Sequence, residues 1–501
     1  MRRRIAFRAL AAAAAVSATA LAAEGACRAY HRLRCQAHGP DGRFELYSVG
    51  ESTALGEPYW PAVTVGALVE RALGGAVRGK PIVTIDLARQ GESIYPQAEA
   101  AELALCCRNP GVPGALFVYA GHNDAFFSDS FDEERAELFE QFKEDVLFRS
   151  RLIKDAFVIA ERNDWIPRVR SIQTFEFNLR RVIEASRRAG LVPILSTTAS
   201  NVADMDPGLL PDLAGPRAAS IVSKGAALES RGRWEEALAY DRKASDAHPE
   251  LDGYLRYRRG RIELRLGRER AAAALLRACI EARAQDNFGR ARTEQNELVR
   301  RLAREYAIPL VDFERIAERA SPHGLPGDGL FSDGHHPNLK GYALLSNALA
   351  EAVAGAFGER VRAPLKISDR LPDELGLSRN DQVNALVESG RWLFSVGFDH
   401  AYPLHRWRMA EDRFRRAAAL DPDAFDPRMG LALAAAVRKK DFAADADWLD
   451  REGFFYGAVY DFPEEDWPEI LRRLRAADVP KPLLGELTRT YALRRRGVAA
   501  R

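Results

Sequence analysis

From residue 42 onward, short apolar runs alternate with longer stretches whose apolar residues recur at helical spacing. The apolar runs are almost continuous in hydrophobic character and do not alternate with polar residues. Strands with this pattern are buried on both faces, as in a parallel sheet that carries helices on each side. The pattern therefore predicts an α/β domain with a parallel sheet. The five predicted strands are 44–49, 82–88, 115–121, 192–198 and 308–313.

The alternation of strand and helix stops between the fourth and fifth predicted strands, where residues 216–285 have a wholly helical pattern. Within this segment, "GRWEEAL" at 232–238 is echoed by "GRERAAA" at 267–273, which is the period of a helical hairpin. The segment resembles tetratricopeptide repeats. Two hairpins are too few for a free-standing solenoid, so we expect them to pack against the sheet domain. The residues at suitable positions for the repeat motif are Gly232, Ala237, Tyr240, Ala244 and Pro249.

A second helical region follows the sheet domain, after a linker at 362–378. Residues 379–501 again contain repeat-like helices, so we expect a C-terminal helical domain similar to tetratricopeptide repeats. Generic helix pairs without repeat ancestry are the alternative for both helical regions. In either case these regions predict packing surfaces or the binding site of a protein partner. The sheet domain would then consist of residues 42–200 and 286–360.

The composition is that of a multidomain globular protein. The chain has 501 residues, of which 47% are hydrophobic and 29% are charged, so it is too long for one ordinary core. Lys and Arg number 73 against 71 Asp and Glu, and the interleaved acids leave no basic block. Nucleic-acid binding therefore has little electrostatic support, and we expect no nucleic-acid partner. Five cysteines show no metal-binding spacing with histidine, so we expect neither a metal nor a cofactor.

The first 23 residues have the pattern of an export segment. Arg2, Arg3 and Arg4 precede an apolar run from Ala9 to Ala23, and residues 20–22 offer a small-x-small cleavage motif. The run is shorter than the roughly 20 apolar residues of a spanning helix. A cleaved signal peptide and an uncleaved membrane anchor at 1–23 both stay open. We therefore expect an exported protein, periplasmic or extracellular, either free or tethered to the membrane at its N-terminus.

Four polar stretches stand where the strands of a parallel sheet should end. This edge is where such sheets place their ligand sites. The stretches are "GESTALG" at 50–56, "ARQGES" at 88–93, "AGHNDAFF" at 120–127 and "FSDGHHPNLKGY" at 331–342.

Two of these stretches carry residues suited to nucleophilic catalysis. Ser52 lies between two glycines, where a turn would present its hydroxyl at the sheet edge. The simpler interpretation of Ser52 taken alone is a helix N-cap. In the fourth stretch Asp333 and His336 are three residues apart, so the carboxylate could hold the imidazole as a base for a serine hydroxyl. His335 is a competing candidate for the base.

Taken together, the four stretches resemble the sequence blocks of the SGNH, or GDSL, hydrolase family. The resemblance covers about residues 42–200 and 286–357. It implies a three-layer α/β/α fold with a parallel, five-stranded, flavodoxin-like sheet. It also implies a serine esterase that forms an acyl-enzyme intermediate.

The resemblance also implies a role for each candidate residue. Ser52 would be the nucleophile, His336 the base and Asp333 its orienting partner. The Asp-x-x-His pattern of the family selects His336 over His335. The implied oxyanion-hole donors are the backbone N–H groups of Ser52 and Gly91 and the side chain of Asn123.

The chain departs from the family pattern in two places. Glu51 replaces the usual aspartate before the nucleophile, and we expect it to brace the turn. The inserted helices separate Ser52 from His336 in sequence and could overhang the pocket. Aromatic residues at the end of the third stretch and beyond it could wall an acyl or sugar pocket, although ordinary helix packing is the simpler interpretation. These residues are Phe126, Phe127, Phe131 and Trp165.

Three functions are consistent with the sequence. The first is an exported esterase that acts on an O-acylated glycan or a small lipid ester. The second is an acyltransferase that uses the same triad on an envelope polysaccharide. The third is a protein-interaction scaffold whose hydrolase-like domain is inert, with the helical repeats binding the partner.

Overall fold

The computed structural model has an α/β domain, a group of helices inserted into it and a group of helices that follow it. The residues that the structure describes are 17–30, 42–106, 108–125, 142–143, 146–162, 171–207, 216–281, 290–398, 404–436 and 467–496.

The sheet contains five parallel strands at the positions of the five predicted runs, and a sixth strand at one edge. The strands are β1 Phe44–Gly50, β2 Ala76–Val77, β3 Lys80–Asp86, β4 Gly114–Tyr119, β5 Val192–Ser196 and β6 Leu310–Val311. Their order is β2-β3-β1-β4-β5-β6, and only the β2–β3 pair is antiparallel in this sheet of described residues. The prediction of a purely parallel, five-stranded sheet is therefore wrong, because the sheet is mixed and six-stranded.

The extra strand β2 results from a tight turn that the hydrophobic pattern does not reveal. Arg78 and Gly79 join β2 to β3 with φ values of 50° and 72°. Two-residue hairpins of this kind need positive φ at both turn positions. A strand of two residues gives no periodic signal in the sequence.

The helices connect the strands and form the two regions outside the sheet. In chain order they are α1 17–30, α2 Ser52–Leu55, α3 Val65–Ala72, α4 Ile94–Leu105, α5 Arg151–Arg162, α6 Ile172–Arg188, α7 Pro216–Ser230, α8 Trp234–Ala247, α9 Asp252–Arg265, α10 Glu269–Glu281, α11 Thr293–Glu305, α12 Phe313–Ala320, α13 Leu339–Ala356, α14 Leu371–Leu375, α15 Arg379–Phe398, α16 Leu404–Leu420, α17 Phe425–Ala436, α18 Trp467–Ala476 and α19 Lys481–Arg495.

Both faces of the sheet are covered, which explains the continuous apolar character of its strands. Phe44 and Leu46 of β1 belong to a core shared with α3, α12 and α13. Tyr47 and Val49 belong to a second core shared with α4, α6 and α11. Successive side chains of a strand point to opposite faces, so β1 must be apolar on both.

The inserted helices α7 to α10 lie between β5 and α11 in the chain and pack against the sheet domain, as expected of short hairpins. Tyr257, Leu276 and Ile280 form one buried cluster with Ala203 and Leu325, which belong to loops of the sheet domain. The insertion therefore shares part of its core with that domain. Its relation to tetratricopeptide repeats stays a prediction.

The C-terminal helices α15 to α19 have a core of their own and are fixed to the loop after β5. Met205 of that loop is fully buried among their apolar side chains. The next residue, Asp206, accepts a hydrogen bond from Arg406 Nε at 2.6 Å, and both side chains are at most 1% exposed. A buried ion pair and an apolar contact thus join the C-terminal helices to the loop after β5.

The N-terminal helix α1 contacts the start of α5. Glu24 accepts hydrogen bonds from the backbone N–H groups of Arg151 and Leu152 at 2.9 and 3.0 Å. Among the described residues, none of the helices combines the length and the apolar character that crossing a membrane requires. The export segment at 1–23 stays a prediction, since residues 1–16 lie outside the described part of the chain.

The buried pair predicts how firmly the C-terminal helices are attached. Arg406→Met should lower the free energy of unfolding by about 3–5 kcal/mol, because Asp206 would keep a buried charge without its partner. Arg489→Met is the matched control, since Arg489 pairs with Asp423 at the surface, where the side chains are 50% and 66% exposed. The control should change stability by less than about 1 kcal/mol. Urea unfolding followed by circular dichroism measures both, and equal losses would contradict the prediction.

Candidate active site

The turn after β1 presents Ser52 at the carboxyl edge of the sheet. Ser52 is the first residue of the short helix α2. A Cβ atom at Gly50 would lie 2.2 Å from the carbonyl oxygen of Tyr119 and 2.4 Å from Cβ of Ala54, so only glycine fits there. Gly56 ends α2 with φ 113°, a conformation that favours glycine. The two glycines therefore fix the turn on either side of the serine.

Ser52, His336 and Asp333 form a continuous hydrogen-bonded chain. His336 Nε2 lies 2.8 Å from Ser52 Oγ, and His336 Nδ1 lies 2.8 Å from Asp333 Oδ2. Asp333 Oδ1 accepts the backbone N–H groups of His335 and His336 at 3.0 and 2.9 Å. The structure thus brings together all three predicted triad residues, with His336 and not His335 between the hydroxyl and the carboxylate.

The hydrogen bonds of this chain determine where the protons lie. A carboxylate only accepts, so neutral His336 carries its proton on Nδ1, and Nε2 accepts from the Ser52 hydroxyl. Burial lowers the pKa of His336, but the charge and hydrogen bond of Asp333 outweigh it and hold the pKa above its ordinary value. Burial raises the pKa of Asp333, but the contact with His336 outweighs it and holds the pKa well below its ordinary value. The site therefore contains an ionised Asp333 and a strengthened imidazole base.

Glu51, which stands where the hydrolase family that the sequence resembles has aspartate, links the turn after β1 to the turn after β4. Its Oε1 accepts the backbone N–H of Gly121 at 3.0 Å, and its Oε2 accepts that of His122 at 2.9 Å. Burial and the negative charge of Asp124 raise the pKa of Glu51 to about 8. The longer side chain thus connects the turn after β1 to the turn after β4.

The predicted oxyanion residues Gly91 and Asn123 lie in adjoining loops at the same edge. Asn123 Nδ2 donates to the carbonyl oxygen of Glu92 at 3.1 Å. A side-chain amide nitrogen carries two N–H groups, so this bond uses one of them. Gly91 precedes Glu92, is exposed and has φ 71°. The third polar stretch is therefore hydrogen-bonded to the second, directly beside Gly91.

His122 is a buried site residue that the sequence reasoning missed. Its Nε2 lies 3.1 Å from the carbonyl oxygen of Ala199, and its Nδ1 lies 3.3 Å from Thr53 Oγ1. Because a carbonyl only accepts, Nε2 carries the proton and Nδ1 accepts from the Thr53 hydroxyl. Burial lowers the pKa of His122 to about 3, so the ring is neutral. The sequence feature that could have identified His122 is its position inside the third polar stretch, next to Asn123.

The three histidines of the site form a column of rings. His335 stacks on His122 with ring centroids 5.0 Å apart, and His336 follows at 4.2 Å. Trp392 of α15 meets His335 and His336 nearly perpendicularly, with centroids 5.5 and 5.8 Å away. Nothing in the sequence marked Trp392, because it lies in a helical region without clustered chemical groups.

The triad is largely covered, since Ser52 and His336 are only 6% and 8% exposed. Within the described part of the chain, Trp392 of α15 packs against His336, whereas the sequence had suggested the inserted helices as a possible cover of the pocket. A cavity of about 650 Å³ lies beside the triad loop, and its lining includes Ser389 and Arg413. The candidate pocket residues that lie outside the described residues are Phe126, Phe127, Phe131 and Trp165.

The same loop offers a set of side chains that a metal could use. Ligand atoms of Asp333, His335 and His336 lie within 4.8 Å of one another. Carboxylate and imidazole groups are ordinary zinc ligands. A metal bound by all three would displace the hydrogen bond between Asp333 and His336, so the observed arrangement favours proton transfer over metal binding.

Comparison with known proteins gives structural neighbours but no sequence match. No protein-family model matches the chain, and no curated protein matches it. A member of the lipolytic G-D-S-L protein family from Veillonella parvula has 14% identity and a TM-score of 0.30, covering 62% of this chain and 97% of its own. A lipase/acylhydrolase from Enterococcus faecalis has 13% identity and a TM-score of 0.29, covering 62% and 96%. Because these TM-scores are low, the interpretation of the site rests on its own geometry.

The electrostatics of the site predict the titration of its histidines. The pKa of His336, followed by NMR, should lie above 6.5, the ordinary value. Asp333→Asn should bring it below 6.5, because burial would then be opposed only by the charge of Glu57, the smallest of the contributions that raise the pKa. His122, with a pKa of about 3, is the internal control and should not titrate between about pH 5 and 8 in either protein.

The same shift has a consequence for stability. Because folding raises the pKa of His336, its contribution is fully present below the unfolded value and is lost as pH rises through the folded value. Asp333→Asn should remove this part of the pH dependence. A pKa of His336 below 6.5 in the unsubstituted protein would contradict the assignment of Asp333.

Proposed function

We propose that the protein is a serine hydrolase that cleaves ester bonds through an acyl-enzyme. The observation that supports this most strongly is the unbroken chain from Ser52 Oγ through His336 to Asp333, with both contacts at 2.8 Å. A base within hydrogen-bonding distance of a serine hydroxyl, itself oriented by a carboxylate, is the arrangement that activates serine for attack.

The proposed reaction has two stages that use the same base. Ser52 Oγ forms a bond to the ester carbonyl carbon while its proton passes to His336 Nε2, and Asp333 stabilises the resulting imidazolium. His336 then gives this proton to the leaving alkoxide as the carbon–oxygen bond breaks. In the second stage, water attacks the acyl-enzyme, His336 accepts the proton of the water, and Ser52 leaves with that proton restored.

The developing oxyanion needs donors that are already in place. We assign this role to the backbone N–H groups of Ser52 and Gly91 and to Asn123 Nδ2. The hydrogen bond from Asn123 to Glu92 supports the assignment, because it fixes the amide beside Gly91 before substrate arrives. Loss of one such donor typically lowers turnover by about 10²–10³-fold.

The substrate class follows from the predicted export of the chain. Acylated glycans and small lipid esters are the esters expected outside the cytoplasm, and we propose one of these as the natural substrate. The scaffold alternative has less support, because an inert domain has no need of an aligned nucleophile, base and carboxylate.

Covalent labelling tests the proposed nucleophile. Ser52→Ala should abolish labelling by a fluorophosphonate and lower the hydrolysis of short-chain aryl esters by about 10⁴-fold or more, as in other triad enzymes. His336→Ala should have a comparable effect on turnover, whereas His335→Ala should lose less, because the Ser52–His336–Asp333 chain stays complete. Ser48→Ala is the matched control, since its hydroxyl on β1 bonds Asp86 at 2.7 Å and lies outside the triad.

Two results would reject the proposal. One is labelling that persists undiminished in Ser52→Ala. The other is an unsubstituted protein that hydrolyses no ester at all.

Acyl transfer is the second candidate, and the covered triad favours it. Ser52 is 6% exposed, so bulk water has little access to an acyl group bound there. Incubation with an acyl donor and an oligosaccharide acceptor should then give acylated sugar in excess of free acid. Free acid alone, at every acceptor concentration, would favour the esterase.

A further inference from the structure

The C-terminal helices contact the backbone of the triad loop directly. The carbonyl oxygen of Ser332 accepts a hydrogen bond from Ser389 Oγ of α15 at 2.7 Å. The same oxygen lies 3.4 Å from Nε and 3.3 Å from Nη2 of Arg413 on α16, and both nitrogens donate to it. Ser332, Ser389 and Arg413 are all buried. Two helices outside the sheet domain thus hold the peptide group that directly precedes Asp333.

Ser332 is also where the triad loop closes on itself. Its backbone N–H donates to the carbonyl oxygen of His336 at 2.8 Å. On the sheet-domain side, the N–H of Asn201 donates to the carbonyl oxygen of Gly334 at 2.8 Å, and Asn201 Nδ2 donates to that of Asp333 at 3.1 Å. The loop is therefore held from two sides, by Asn201 within the sheet domain and by Ser389 and Arg413 from the C-terminal helices.

Trp392 adds an apolar contact from the same helix. It lies one turn beyond Ser389 on α15, and its ring meets His336 at an interplanar angle of 88°. We expect this contact to limit rotation of the imidazole away from Ser52. Backbone hydrogen bonds fix the loop, and this ring contact fixes the side chain that the loop carries.

We propose that Ser389, Arg413 and Trp392 are positioning residues for the triad, so that the C-terminal helices form part of the catalytic unit. This inference rests on the proposed hydrolase function. Displacement of a catalytic group by about 1 Å can lower a rate about 10²-fold. We therefore expect loss of the Ser332 contacts to change the position of His336, and so the rate, more than the stability of the fold.

The adjoining cavity allows an effect on the catalytic rate to be measured separately from an effect on stability. Ser332, Ser389 and Arg413 all line the space of about 650 Å³ between the triad loop and α15 and α16. The lining mixes apolar side chains with these polar groups, and a water molecule beside the polar groups can satisfy the Ser332 carbonyl when a donor is removed. Substitution of Ser389 or Arg413 should therefore loosen the loop without unfolding the domain.

Kinetics of the full chain test the proposal. Ser389→Ala should lower kcat by about 3- to 10-fold, the equivalent of one hydrogen bond, with little change in KM. Arg413→Met should have a comparable or larger effect, and Arg413→Lys, which retains one cationic donor, should recover part of it. Trp392→Phe should be milder than Trp392→Ala, because the smaller ring still covers His336.

A spectroscopic readout separates positioning from stability. The downfield proton resonance of His336 Nδ1–H reports its hydrogen bond to Asp333 and should broaden or shift in Ser389→Ala and Arg413→Met. Matched controls are Ser346→Ala, another buried helical serine, and Arg415→Met, an arginine on α16 that is 67% exposed. Both controls should retain the resonance, kcat and the melting temperature.

The outcomes distinguish this inference from the function on which it rests. Unchanged kcat and an unchanged resonance in Ser389→Ala and Arg413→Met would overturn the positioning role while leaving the hydrolase intact. If the unsubstituted protein is neither labelled nor able to hydrolyse esters, the proposed function is rejected. The His336 resonance would still show whether α15 and α16 hold the loop. The inference would also be overturned if the melting temperature fell so far that the unfolded fraction at the assay temperature accounted for the whole loss of kcat. Ser389 and Arg413 would then act on folding alone.

Discussion

The hydrogen bond between Ser52 and His336 is the contact on which the site depends, and it joins residues 284 apart in the chain. It exists because β1 lies inside a run of parallel strands, whose carboxyl ends all open at one edge. The turns at that edge are bonded to one another, by Glu51 to the turn after β4 and by Asn123 to the loop after β3. The nucleophile is thus placed by hydrogen bonds between side chains and backbone groups of neighbouring turns, which the sheet brings to one edge.

Asp333, His122 and Glu51 are buried ionisable groups near this contact, and the environment of each is different. Asp333 stays ionised because His336 and two backbone N–H groups compensate its charge. His122 is neutral, because burial without an adequate counter-charge lowers its pKa. Glu51 lies next to Asp124, and burial with a like charge raises its pKa. His336 is hydrogen-bonded at 2.8 Å both to the Asp333 carboxylate and to the Ser52 hydroxyl, which is what a base that receives and returns a proton needs.

The C-terminal helices are joined to the sheet domain at the site rather than at a distant surface. Their buried ion pair reaches Asp206 in the loop after β5, and Ser389 and Arg413 reach Ser332 before Asp333. A region with its own core would ordinarily be free to move as a separate domain. Here the contacts are made to the loop that carries Asp333 and His336 and to the loop after β5 that supports it. The packing of these helices can therefore affect the geometry of the triad.

The sequence by itself determined the five parallel strands, the helical regions and the identities of the triad candidates. The strands and helices follow from burial and periodicity along the chain, and the triad candidates follow from four short stretches that resemble the sequence blocks of a known hydrolase family. Only the tertiary structure decided that β2 adds an antiparallel strand, that His122 lies against the triad loop and that Trp392 covers His336. A two-residue strand has no period, and a contact such as that of Ser389 with Ser332, 57 residues apart, depends on how two helices pack on a loop. Local pattern specifies what each segment buries but not which distant segment it meets.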